Sequence, residues 1–96
     1  MKLKHSLETQ FTLTLAEVTY SLNVDTATVM AILDEGVIDL PQKTYNDLYF
    51  DTTTFQQLRK IVRLNQDLNI NIAGACMVFE LLEELDELKE RLSVSS

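Results

Sequence analysis

From Val78 an apolar residue recurs at steps of 3, 4, 3 and 4, through Leu81, Leu85, Leu88 and Leu92. That spacing keeps the side chains on one narrow side of an α-helix, the a/d seam of a coiled coil. A lone helix leaving a small domain cannot shield such a seam from water. Each buried Leu is worth ~1.5 to 3 kcal/mol, so a second copy of the chain is the simplest cover, and dimerisation is expected through Val78, Leu81, Leu85, Leu88 and Leu92. With Val78 at a, Glu84 and Arg91 fall at g and Lys89 at e. Charges there can pair across a homodimer, but exposed pairs contribute only ~0 to 1 kcal/mol. The apolar seam should carry the affinity.

The rest of the 96-residue chain is large enough for one modest core. We expect a single domain over residues 1–96: a helix-turn-helix with a small wing over 11–50, a third helix within 51–70, the long helix over 71–93, and a short tail, 94–96. The fold class is mainly α. Residues 7 to 15, "LETQFTLTL", alternate Phe11, Leu13 and Leu15 with Thr12 and Thr14, the period of a half-buried strand. Thr14 and Glu17 have capping-box spacing and predict a helix from about Ala16 to Ser21, with Val18 and Leu22 on its buried side. Asn23 suits a break at positive φ. Asp25 is placed to cap a second helix whose apolar stripe is Val29, Ile32 and Leu33, and Gly36 to end it.

"VIDLPQKTYNDLYF" reads as a hairpin wing: Val37 to Leu40 and Leu48 to Phe50 around a tip at Lys43 to Asp47. Asp51 precedes the third helix, where Phe55, Leu58, Ile61, Val62 and Leu68 recur at helical spacing and Arg59 and Arg63 lie on the opposite side. The polar break Asn69 to Asn71 leads into the long helix, about Ile72 to Leu92. Its start is broadly apolar, through Ile72, Ala75, Cys76, Val78, Phe79, Leu81 and Leu82.

A helix-turn-helix commonly reads DNA, yet "LAEVTYSLNVDTATVMAILDEGVI", Leu15 to Ile38, holds no Lys or Arg. The phosphate contacts that supply most non-specific affinity for DNA are therefore missing. The net charge of -7 also repels nucleic acid and favours basic partners. A surface of Ala27, Met30 and Ala31 rimmed by Asp25, Asp34 and Glu35 suits a basic protein helix, and these six residues are the candidate partner contacts. Asp25 first serves as a cap, and Met30 serves equally well as core filler.

No other chemistry emerges. Cys76 is the only cysteine, which rules out an intramolecular disulfide and a Cys/His metal cage. The carboxylates from Glu80 to Glu90 follow helix-surface spacing without the Asp/Asn/Gly order of a calcium loop. His5 has no visible partner, and no catalytic set can be assembled, so we expect neither enzyme activity nor a cofactor. The start "MKLKHSLETQ" lacks the apolar run of a secretion signal and no stretch approaches a membrane span, so a cytoplasmic protein is expected.

The stretch Val62 to Leu92 carries Arg63-Leu64, Asp67-Leu68, Ile70-Asn71, Gly74-Ala75 and the run Leu81-Leu82-Glu83-Glu84-Leu85. In this it resembles the chaperone-modulator family CbpM. The resemblance extends over roughly residues 11 to 92 through Gly36-Val37-Ile38 and Phe50-Asp51, and the order of elements is similar to that of MerR-type winged-helix proteins. It implies a winged helix-turn-helix that binds the J-domain of a DnaJ-like co-chaperone of the CbpA type and inhibits it. J-domains carry a second helix rich in Lys and Arg, which an acidic surface would meet. The alternatives are a MerR-type DNA-binding regulator, with Lys43, Arg59, Lys60 and Arg63 on phosphates, and a dimeric scaffold module without a chaperone partner.

Overall fold

Thr14 converts a strand into a helix within one residue. In the computed structural model, which describes residues 12–40 and 48–95, strand β1 is Thr12–Thr14 and helix α1 is Leu15–Leu22. The Thr14 hydroxyl accepts from the Glu17 N–H at 3.2 Å, and the Glu17 carboxylate accepts from the Thr14 N–H at 2.8 Å. This reciprocal box satisfies two donors that the ends of strand and helix would otherwise leave open. It also fixes the boundary, so Leu15 opens the helix rather than closing the strand. Residues 7–11 of the expected strand lie outside the described residues.

α1 stops at Asn23, which adopts φ 59°. The Val24 N–H then reaches the Thr19 carbonyl at 3.2 Å and the Asn23 N–H reaches that of Tyr20 at 3.3 Å, the bond pair of a left-handed helix terminus. Asp25 caps the following helix, α2, Thr26–Asp34, and Gly36 ends it at φ 79°. Val18 of α1 and Val29 and Ile32 of α2 are fully buried between the two.

Strand β2 is Tyr49–Asp51, antiparallel to β1 with Leu13 opposite Phe50 and Thr12 opposite Asp51. This corrects the expected wing pairing. Val37 to Leu40 is not a strand; Ile38 is buried instead, and Val37 and Leu40 pack against the core. The short apolar run thus follows the core surface as irregular chain, while β2 takes its partner from before the helix pair. The expected tip, Lys43 to Asp47, lies outside the described residues.

Asp51 ends β2 and caps α3, Thr52–Asp67, accepting from the Thr54 N–H at 2.8 Å. α3 turns Leu58, Ile61 and Val62 inward. Its exit repeats the Asn23 device at Asn69, φ 55°, with the Ile70 N–H bonding the Asn65 carbonyl at 3.3 Å. The Asn65 amide donates back to the Ile70 carbonyl, closing the turn from both sides. Asn71 then opens α4, Ile72–Ser95, by accepting from the Gly74 N–H at 2.7 Å. A Cβ on Gly74 would stand 3.1 Å from that same Asn71 oxygen, so glycine leaves the cap room.

α4 inserts Ala75, Cys76 and Phe79 into the core and packs chiefly on α3 and also on α2. Phe50, fully buried, sits with Val18, Val29, Ile32, Leu58 and Ile61 at the centre. Among the described residues the architecture is therefore mainly helical with one small two-stranded sheet, the fold class expected from the sequence. Among the described residues, no helix is long and apolar enough to cross a membrane.

Candidate partner-binding surface

The second helix is capped from within by Asp25. One Asp25 oxygen accepts from both the N–H and the hydroxyl of Thr28. Those two bonds, the hydroxyl's foremost, hold the Asp25 carboxyl below its ordinary value of 3.8. Asp25 is therefore an exposed anion already committed to its own helix.

Ala27, Met30, Ala31 and Asp34 stand at i, i+3, i+4 and i+7, one side of α2. Ala27 and Asp34 are exposed, while Met30 and Ala31 are half-buried. Met30 also packs against the core, so it contributes to stability as well as to the surface. Glu35, exposed at the end of α2, lies outside that stripe but near the base of α4. Burial raises the Cys76 thiol above 9.0, and the charges of Glu35 and Glu80 add to the rise. Both carboxylates therefore act on the same buried thiol, Glu35 from the end of α2 and Glu80 from α4.

Glu80 stands four residues after Cys76 on α4, whereas Glu35 reaches that thiol through the packing of α2 on α4, which the sequence does not show. Tyr20 also escaped sequence reasoning: it is 89% exposed on α1, away from Val18. Its position off the Val18–Leu22 face was the available signal.

The seam residues separate into two kinds. Val78 is half-buried, whereas Leu81, Leu85, Leu88 and Leu92 are exposed, from 45% at Leu85 to 70% at Leu92. Leu82 is exposed beside them at 47%, which widens the apolar surface beyond the expected stripe. Arg91 reaches Glu87 at 4.0 Å on its own helix. That exposed contact adds little stability and gives the Arg91 charge a local neighbour. Among the described residues, no group of three or more His, Cys, Asp or Glu is gathered as a metal site.

Comparison with known families places this arrangement. The family model "MerR HTH family regulatory protein" matches residues 13–94, from β1 through nearly all of α4. The chain belongs to the MerR family.

Within that family it is similar to curated proteins named chaperone modulatory protein CbpM. The protein from Pseudomonas entomophila strain L48 is 29% identical over 66 residues, 69% of this chain and 65% of the relative. Those from Pseudomonas putida strains KT2440 and GB-1 are each 27% identical over 66 residues, covering the same shares of each chain. The match spans slightly under two thirds of these relatives' length. No solved structure matches. This is a CbpM-like member of the MerR family, and its second helix presents carboxylates without any Lys or Arg between Leu15 and Ile38.

Proposed function

We propose that the chain is a single-domain, homodimeric chaperone modulator of the cytoplasm that binds the J-domain of a DnaJ-like co-chaperone and inhibits it. The observation that carries this reading is the exposed side of α2, which presents Ala27 and Asp34, with Glu35 exposed at its end, and no cation. Asp25, Ala27, Met30, Ala31, Asp34 and Glu35 form the proposed contact. A Lys/Arg-rich helix laid along it gains opposite charge at its rim and apolar contact at its centre. Charge of that kind mainly accelerates and orients docking. Inhibition then follows from occupying the surface through which the J-domain engages its Hsp70 partner. Leu81, Leu85, Leu88 and Leu92, with Val78 at the edge, form the proposed dimer contact. Similarity to proteins named as chaperone modulators supports the same role.

Titration of a fluorescent J-domain from the co-resident DnaJ-like protein tests it. Saturable binding at low ionic strength is expected, slower to associate after D34K/E35K and then less sensitive to salt. No binding at low ionic strength overturns the reading.

Membership of the MerR family favours a second reading, a DNA-binding regulator using Arg59, Lys60 and Arg63, with Lys43 outside the described residues. It requires duplex binding that falls steeply with salt, and a gel-shift series without any shift at low salt eliminates it.

A further inference from the structure

Three of the eight basic residues of this acidic chain, Arg59, Lys60 and Arg63, fall within five positions of α3. Two of them edge a cleft of about 330 Å³ between α1 and α3, lined by Ser21, Leu22, Phe55, Arg59, Val62, Arg63 and Gln66. Phe55, Arg59, Val62, Arg63 and Gln66 follow i, i+4, i+7, i+8 and i+11, so α3 presents them along one side. Half-buried Leu22 and Phe55, with the edge of buried Val62, give the cleft a narrow apolar floor within a mainly polar lining.

Arg59 and Arg63 are exposed, and neither makes an ion pair with another described residue. Acids are not scarce: the chain has fifteen, yet none lines this cleft. Asp67 instead lines the neighbouring α3–α4 groove with Lys60, Glu83 and Asp86. A surface arranged only for solubility would mix both signs here, as that groove does. The cleft instead has two guanidiniums four residues apart, whose Cβ atoms on a helix stand about 5 to 6 Å from each other. Guanidinium forks at that separation can both reach one oxyanion, and Gln66 and Ser21 add neutral donors.

We propose that the α1–α3 cleft binds the phosphate group of a small phosphomonoester with an apolar or aromatic body. The dianion matches the two Arg charges, and the body lies on the Leu22–Phe55–Val62 floor. A polyanion fits less well, because the remainder of the chain repels it. This site is on α3 and α1 and does not depend on the surface proposed for α2.

The test is an NMR titration of the full chain at matched ionic strength, following the Arg Nε–Hε signals, with inorganic phosphate, phenyl phosphate, phenol and a short DNA duplex as separate probes. Saturable shifts at Arg59 and Arg63 but not at Arg91 are expected with phenyl phosphate. Inorganic phosphate should bind the same residues more weakly, and phenol should leave them unmoved. R59Q and R63Q should each weaken phenyl phosphate about tenfold, the scale of one charge-assisted hydrogen bond. Binding should also be tighter at pH 8 than at pH 5, where the ester loses its second charge. Shifts that grow linearly and equally at Arg91, unchanged affinity in both variants, or a response to the duplex alone would each overturn the proposal. Both substitutions alter exposed side chains, and circular dichroism of each variant checks that the fold is kept.

Discussion

A single carboxylate oxygen of Asp25 lies 2.9 Å from the Thr28 nitrogen and 2.7 Å from its hydroxyl oxygen, so one atom joins the turn to the helix that follows. The bonds favour the ionised form, and the folded carboxyl titrates below 3.8. The stabilisation is therefore complete above 3.8 and disappears as pH falls through the lower, folded value. Asp25→Asn should unfold more easily than the native chain at pH 6, and the difference should shrink progressively below pH 3.8. Thermal midpoints from circular dichroism across pH 2 to 6 check this, and a constant difference would show that ionisation is irrelevant to the cap.

Phe50 has no exposed surface and faces Leu13 in the sheet. Phe50→Ala removes a ring that the α-helical layers surround, and should destabilise the fold by about 3 to 5 kcal/mol. Urea unfolding measures it directly. A loss under 1 kcal/mol would mean that the core collapses around the vacancy.

Asn69 and Asn71 divide the labour at the α3–α4 junction. Asn69→Val should cost about 1 to 2 kcal/mol, because a β-branched residue resists φ 55°, whereas Asn69→Gly should be nearly neutral. Asn71→Ala should cost about 0.5 to 2 kcal/mol through loss of the bond to Gly74. Equal effects from Asn69→Val and Asn69→Gly would contradict the backbone argument.

Leu85 and Leu88 are exposed at 45% and 52%, so Glu at both leaves the single-chain core intact. The native chain should sediment at twice its 11.0 kDa mass, and L85E/L88E as a monomer with unchanged helicity. Each Leu covered in the pair supplies ~1.5 to 3 kcal/mol, enough for two losses per subunit to abolish association at micromolar concentration. A monomeric native chain would remove the seam from the proposed interface.

Cys76 is almost wholly buried, and its thiol titrates above 9.0. In the unfolded chain the proton is lost first, so stability should fall as pH rises past 9.0. A thiol-reactive dye should label the native chain orders of magnitude more slowly than the denatured one at pH 8. Rapid native labelling would place Cys76 at the surface.

Features decided within four residues were legible in advance. Thr14 with Glu17, Asp25, Asn23 and Gly36 each do locally what their chemistry suggests. The pairing of β1 with β2 was not legible, since 34 residues separate Thr14 from Tyr49 and strand periodicity names no partner. The same limit hid the approach of Glu35 to Cys76, set by the packing of α2 on α4, and Asn65, whose amide closes a turn five residues away. On α2 the sequence identified a stripe but not its depth: Ala27 stands free, whereas Met30 is partly occupied by the core.

The register that sets Thr12 against Asp51 has a mechanical consequence. The chain enters the ribbon at Thr12 and leaves it at Asp51, both at the same rung. Tension applied across Thr12 and Asp51 therefore peels the strands apart one rung at a time instead of shearing all rungs together. Phe50, on the next rung, is fully buried, so a load that reaches the ribbon acts next on a residue at the centre of the core.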